Sequence, residues 1–321
     1  MRGSEFIVGA AALAGVCGPV FAAEYPERPV RIVVEFPAGG ATDVVVRRVA
    51  GRLRERVNQQ IVIDNRPGAG GLIAHEHVSK STADGYTLLL ASTALAANKS
   101  LHARLNYEAT DFQGVALLAD WGAILVVHPS VPVKTTQQLM QLAKARHGQM
   151  TYSSAGNGTW PHLATEMLLH RAGVKMVHVP YKGAAPALMD VIGGFIDAKI
   201  DSYVTAMPNI KASRLRALSV SSAQRMVQAP EIPTIAEQGF PGYASAIWSG
   251  VMAPKGTPRE VISRLEAHIV ASVKDRDVHQ QLIHDGVRPV GGGAADLDKL
   301  LRNEIALWAK VIRDVGIRLA E

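Results

Sequence analysis

Two glycine-rich stretches carry the residue types and spacing that could hold an anion. The first, Phe36-Pro37-Ala38-Gly39-Gly40-Ala41-Thr42-Asp43, follows the apolar run Val30 to Val34 and enters a segment, Val44 to Val57, with apolar residues at Val46, Val49, Ala50, Leu53 and Val57. That spacing is one face of a helix, so the stretch reads as strand, glycine turn and helix N-terminus. The first N–H groups of a helix have no partner inside it, and the macrodipole places partial positive charge there. Glycine lets a ligand come close to such a backbone. Taken alone, an anion site and a plain turn whose glycines serve backbone angles only are evenly matched. The second stretch tips the balance. Met150 to Ser154 reads as a short strand, Ala155-Gly156-Asn157-Gly158-Thr159 as a turn, and about Trp160 to Arg171 as a helix with Leu163, Ala164, Met167 and Leu168 on one face. The same device used twice suggests two helix N-termini holding two carboxylates of one ligand.

Each residue then has an expected role. Gly39, Gly40 and Ala41 would present backbone N–H groups, with Gly40 at a close approach and at a φ that a side chain disfavours; Thr42 could add its hydroxyl. Asp43 is expected to brace the loop, because a carboxylate beside a bound anion repels it, unless the ligand carries an ammonium group. Ser154, Gly156, Asn157, Gly158, Thr159 and His162 are candidates for the second carboxylate. Ser92 and Thr93 follow a strand end, where open α/β sheets place ligands; a capping role reads equally well. Tyr181 is a further candidate, in a turn before a third helix, Ala184 to Ile192; Lys182 is given a structural role. Trp121 and Trp160 could be simple packing, the commoner fate of tryptophan. If both face a cleft they could flank a flat ring, which sets an aromatic dicarboxylate beside a C4 to C6 aliphatic one.

Sharper chemistries find no support. His75-Glu76-His77 resembles a metal pair, but helical residues two apart point to different faces, and the HExxH spacing is absent. Gly68-Ala69-Gly70-Gly71 lacks the full dinucleotide fingerprint, and no GxxxxGK[ST] stretch exists. Ser153 or Ser154 with His162 suggests a hydrolase only weakly, since there is no Gly-x-Ser-x-Gly elbow. No cofactor or metal is expected.

The elements that position these loops follow from the rest of the chain. Its 321 residues, 48% hydrophobic and 19% charged, suffice for one large or two ordinary domains with a full core. A formal charge of +6 suits capture of anions. Arg47, Arg48, Arg52, Arg54 and Arg56 share one predicted helix largely off its apolar stripe, and no aromatic residues interleave with them. A solvated face explains them better than nucleic acid or membrane. Phe6 to Cys17 is an apolar run of signal-peptide length followed by Val20-Phe21-Ala22-Ala23, so residues 1–23 read as a signal with cleavage after Ala22 or Ala23, although Met1 to Phe6 partly resemble a vector-derived leader. Cys17 is the single cysteine, so the mature chain would rely on its core and not on disulfides. Beyond Pro26, strands and helices alternate, the pattern of α/β layers. Ile61 to Asp64, Thr87 to Ala91, Ile124 to Val127, Met176 to Val179 and Gly250 to Ala253 read as buried strands. Thr257-Pro258-Arg259-Glu260 reads as a capping box opening a helix to about Lys274, and a last helix spans about Ala295 to Val315. With no linker or repeat, a two-domain layout would have to be interleaved.

Several of these segments together resemble one family. They are Pro29 to Asp43, Asp64-Asn65-Arg66-Pro67-Gly68-Ala69-Gly70-Gly71, Asp84 to Leu89, Tyr152 to Gly158, His178-Val179-Pro180-Tyr181-Lys182-Gly183, Pro233 to Glu237 and Ala253 to Pro258. In order and over essentially all of the mature chain, they resemble the Bug family, solute receptors of tripartite tricarboxylate transporters. The resemblance implies a type II periplasmic binding protein: two interleaved α/β domains, 25–123 with 245–321 and 124–244, two crossover strands, and a ligand cleft between the domains. It implies a small carboxylate held by the first glycine loop and its counterpart, membrane components of a transporter or a sensor as partners, a periplasmic monomer, and no catalysis. Asp201 matches a family acidic position, with a hinge, supporting or ligand role. The alternative is a hydrolase or transferase acting on a carboxylated molecule in the same cleft.

Overall fold

The computed structural model describes residues 25–317, so the expected signal segment, including Cys17, lies outside the described residues. The chain opens with β1 (Val30–Val34), α1 (Ala41–Val57), β2 (Ile61–Asn65), α2 (Leu72–Ser79), β3 (Thr87–Ala91), α3 (Thr93–Leu101) and β4 (Phe112–Trp121). It continues through β5 (Ala123–Val127), α4 (Thr136–Ala145), β6 (Thr151–Ser154), α5 (Trp160–Ala172), β7 (Val177–Pro180), α6 (Ala184–Ile192), β8 (Ala198–Ser202), α7 (Tyr203–Lys211) and β9 (Arg216–Val220). It closes with β10 (Ile247–Pro254), α8 (Arg259–Val273), α9 (Arg276–His284), β11 (Arg288–Gly293) and α10 (Ala294–Val315).

These strands form two sheets, one of six strands in the order β11-β4-β10-β3-β1-β2 and one of five in the order β7-β6-β8-β5-β9. The chain leaves the first sheet at Gly122, between β4 and β5, and returns to it with β10, whose Ile247 lies opposite Trp121. Two crossing strands thus run side by side where the sheets meet. β1 is parallel to both β2 and β3, and a central parallel strand covered on both faces is apolar throughout; only Arg31 of Val30–Val34 is exposed. Ile61–Asn65 and Val177–Pro180 do form strands, but as sheet edges with one neighbour each, so Val62 and Val177 are 42% and 49% exposed rather than buried.

α1 begins at Ala41 and buries Val45, Val46, Val49, Ala50 and Leu53 against the sheet. Its arginines are half-exposed, yet not merely solvated: Arg52 and Arg56 reach Asp275, and Arg48 reaches Asp285, tying α1 to the start and end of α9. The expected capping box at α8 does not form. Thr257 donates its hydroxyl to the Pro254 carbonyl at 2.8 Å, leaving Pro258 as the N-cap without a side-chain bond. The largest apolar core joins residues of both sheets, among them Leu89, Leu125, Leu163, Tyr243, Trp248 and Trp308. A second core lies between α1, α8 and the six-stranded sheet, and a third under α6 and α7 of the five-stranded one. No helix among the described residues is long and apolar enough to cross a membrane.

Candidate functional site

Parallel strands deliver the chain to helices at one sheet end, and here the two sheets turn those ends toward each other. An inner cavity of about 120 Å³ lies against the crossing strands, and an outer one of about 640 Å³ adjoins it; both are lined by Phe36, Pro37, Ala155, Thr159, Lys182 and Gly183. The inner wall also contains Gly40, Ala41, Thr42, Ser92, Trp121, Trp160, Asp201, Ser202, Thr205 and Ile247. Five of its residues are helix N-caps: Gly40 of α1, Ser92 of α3, Thr159 of α5, Gly183 of α6 and Ser202 of α7. Only Ser92 caps with its own side chain, accepting from Ala94 N at 3.3 Å. The other four helices therefore bring uncapped N-termini to one cavity, an arrangement that favours negative charge.

The charged side chains sharpen that bias. Asp201 is 1% exposed, with one oxygen 2.6 Å from Lys199 Nζ and the other 2.6 Å from the Thr205 hydroxyl. Glu35, at the end of β1, is fully buried between the Ser92 hydroxyl and His75 Nε2, and His75 in turn meets Tyr107 Oη at 2.8 Å. Asp43 accepts from Gly39 N–H at 3.0 Å, Arg47 at 2.8 Å and Asn65 at 2.9 Å. Burial opposes its ionisation, but these donors outweigh burial and hold the carboxyl below its ordinary range. Every carboxylate at the site is thus engaged by protein donors. Lys182 is exposed on both cavities and makes no ion pair or hydrogen bond among the described residues.

The candidate residues divide accordingly. Gly40, Ala41, Thr42, Ser92, Thr159, Asp201, Trp121 and Trp160 line the inner cavity, while Gly156, Asn157 and Tyr181 line the outer one. Gly39, Asp43, Thr93, Ser154, Gly158 and His162 line neither; all but Thr93 bond within or beside the two loops. Asp43, through its bond from Gly39 N–H, ties the first loop to the start of α1. Ser154 Oγ bonds the Gly156 carbonyl at 3.0 Å and His178 Nε2 at 2.7 Å. His162 Nδ1 accepts from Gly158 N–H at 3.1 Å, and its ring stacks on His178 with centroids 4.0 Å apart. Ser154 Oγ and His162 Nδ1 are thus engaged by protein partners. His75 is buried and His77 is not, which separates the His-Glu-His triplet. Sequence reasoning missed Gly183 and Ser202 and gave Lys182 only a structural role. Gly183 directly before an apolar helix was a usable signal; nothing local marks Ser202, whose place is set by the pairing of β8 with β5.

Comparisons with known proteins agree. The profile of the tripartite tricarboxylate transporter family receptor matches residues 45–317. The chain is 36% identical over 311 residues to protein BugT of Bordetella pertussis, covering 96% of this chain and 95% of that one. Its structure is similar to R. palustris Rpa4515 solved with adipate, with TM-score 0.88 and 37% identity over 92% of this chain and all of the other. It is also similar to MatC from Rhodopseudomonas palustris with bound malate, with TM-score 0.85 and 29% identity over 90% of this chain and all of the other. With two α/β sheets joined by crossing strands and a donor-rich cleft where they meet, the chain belongs to the tripartite tricarboxylate transporter family of receptors, Bug-type solute-binding proteins with a periplasmic binding protein fold, and it is not an enzyme.

Proposed function

We propose that this receptor captures a small organic dicarboxylate in the periplasm and presents it to the membrane components of a transporter. The observation that carries the reading is the convergence of four uncapped helix N-termini and Lys182 on a cavity whose own carboxylates are all engaged. Net positive potential in a concave, partly apolar site selects an anion with a short carbon skeleton. That one neighbour holds adipate and another malate supports the class. In this reading residues 25–123 with 245–321 and residues 124–244 act as two lobes that close on the ligand about the crossing strands.

A thermal-shift screen followed by calorimetry tests it. Adipate, succinate, malate and terephthalate are the probes, with the corresponding neutral diamides as controls. Ligand at 100 times its Kd adds about 2.7 kcal/mol of native-state stability, so a true ligand raises the melting temperature by several degrees and its diamide does not. Equal shifts from acid and diamide, or none from any acid, would sink the carboxylate reading.

A further inference from the structure

Three residues of the inner cavity wall each carry a buried side-chain polar atom with no hydrogen-bond partner among the described residues: Trp121 Nε1, Trp160 Nε1 and Ser202 Oγ. Trp121 is 2% exposed, Trp160 4% and Ser202 9%. Buried donors are almost always paired, and an unpaired one costs the fold its desolvation, so three on one small cavity call for a group that enters it. An indole N–H can only donate, which makes the entering group an acceptor. Two of the three lie where the sheets meet: Trp121 ends β4 opposite Ile247, and Ser202 ends β8 opposite Ala123. The neighbouring carboxylate, Asp201, is already held by Lys199 and Thr205, so the wall has no uncommitted carboxylate for a ligand ammonium. Phe36, Pro37, Ala41, Pro161 and Pro186 give the same wall an apolar part.

We propose that the Trp121 and Trp160 indole N–H groups, with the Ser202 hydroxyl donating beside them, form a subsite that takes the remote carboxylate of the ligand. The first carboxylate sits on the N-termini of α1 and α6, at Gly40 and Gly183, and the apolar part of the wall covers the skeleton between. This rests on the dicarboxylate reading and deepens it: the indoles act through their N–H edges rather than as faces around a ring. The ligand class is a dicarboxylate with an unsubstituted middle and no amino group.

Calorimetry with each dicarboxylate and its monoacid tests this, pairing adipate with hexanoate, succinate with butyrate and terephthalate with benzoate, and adding 2-aminoadipate. Whichever diacid binds wild type most tightly is then measured on Trp121→Phe, Trp160→Phe and Ser202→Ala. Phenylalanine keeps a ring and removes the donor. Loss of a hydrogen bond to an ionised group weakens binding roughly tenfold or more. Each tryptophan variant is expected to lose about tenfold for the diacid while its monoacid changes less than about twofold, and 2-aminoadipate is expected to bind more weakly than adipate. Diacid affinity unchanged in both tryptophan variants, or equal losses for diacid and monoacid, overturns the subsite while leaving the receptor reading intact. Failure of every acid to bind wild type overturns that reading instead. Circular dichroism of each variant checks the fold, and if Trp121→Phe does not fold, Trp160→Phe and Ser202→Ala decide the outcome.

Discussion

Gly40 has φ −76° and ψ 165°, extended backbone that any residue adopts, so its expected conformational strain is absent. The left-handed position in the loop is its neighbour Gly39, with φ +83°. What Gly40 provides is room. A Cβ there would meet only the Pro37 carbonyl, at 3.7 Å, and would otherwise project into open space on the cavity wall. Gly40→Val is therefore expected to fold with a melting temperature near that of wild type and to lose dicarboxylate affinity at least about tenfold by filling the site, since donors facing an ionised group are worth more than neutral ones. Calorimetry with adipate together with a melting curve checks both halves. Unchanged affinity would remove the first loop from the site.

Between element and loop, the second glycine turn rests on a stack of Tyr152, His162 and His178, with the His162 and His178 rings nearly parallel at 8°. Burial lowers the pKa of His162 to about 3, with the nearby His178 adding to it, and burial lowers His178 to about 4. Free histidine titrates near 6.5, so between about pH 6.5 and 4 the unfolded chain binds protons that the folded chain does not. Stability from this stack is whole above that window and falls as pH drops through it, by up to roughly 1.4 kcal/mol per pH unit for each proton so linked. His178 is only half-buried and contributes the smaller share. Urea unfolding at pH 7.5, 6.5 and 5.5 should show wild type losing stability more steeply than His162→Gln, which keeps an acceptor for Gly158 N–H. Parallel slopes would mean that the stack is not the group titrating.

At the scale of the molecule, loops from the two sheets touch across the cleft. A Cβ on Gly183, whose φ is +124°, would lie 3.1 Å from Pro37 Cγ. In the proposed two-lobe reading that closeness marks the closed form, and a ligand enters through an open one. Addition of adipate is expected to reduce the radius of gyration in small-angle scattering. Gly183→Val, strained at this φ and crowded against Pro37, should hold the protein open, leaving it without compaction and with an affinity reduced by the fraction of closed form lost. The apolar core shared by both sheets, with Leu163 on α5 and Leu301 on α10, would limit any such closure. A profile identical with and without saturating ligand would instead describe a rigid pocket.

What the chain alone determined was local. The apolar period of Val46, Val49, Ala50 and Leu53 placed α1, the β-branched run Val30 to Val34 placed β1, and the glycines before Ala41 and Trp160 marked two helix N-termini, because each signal is written in neighbouring residues. The family resemblance extended this to the α/β class and the cleft. Only the tertiary structure decided which strands lie at edges, since exposure of Val62 and Val177 depends on who pairs with them. It also decided that His162 and Ser154 turn inward to His178 while Trp121, Ser202 and Lys182 face the cavity. Those last three come from separate parts of the chain and share a wall only because β4, β8 and the turn before α6 end at the same seam, a juxtaposition of distant segments that no local pattern encodes.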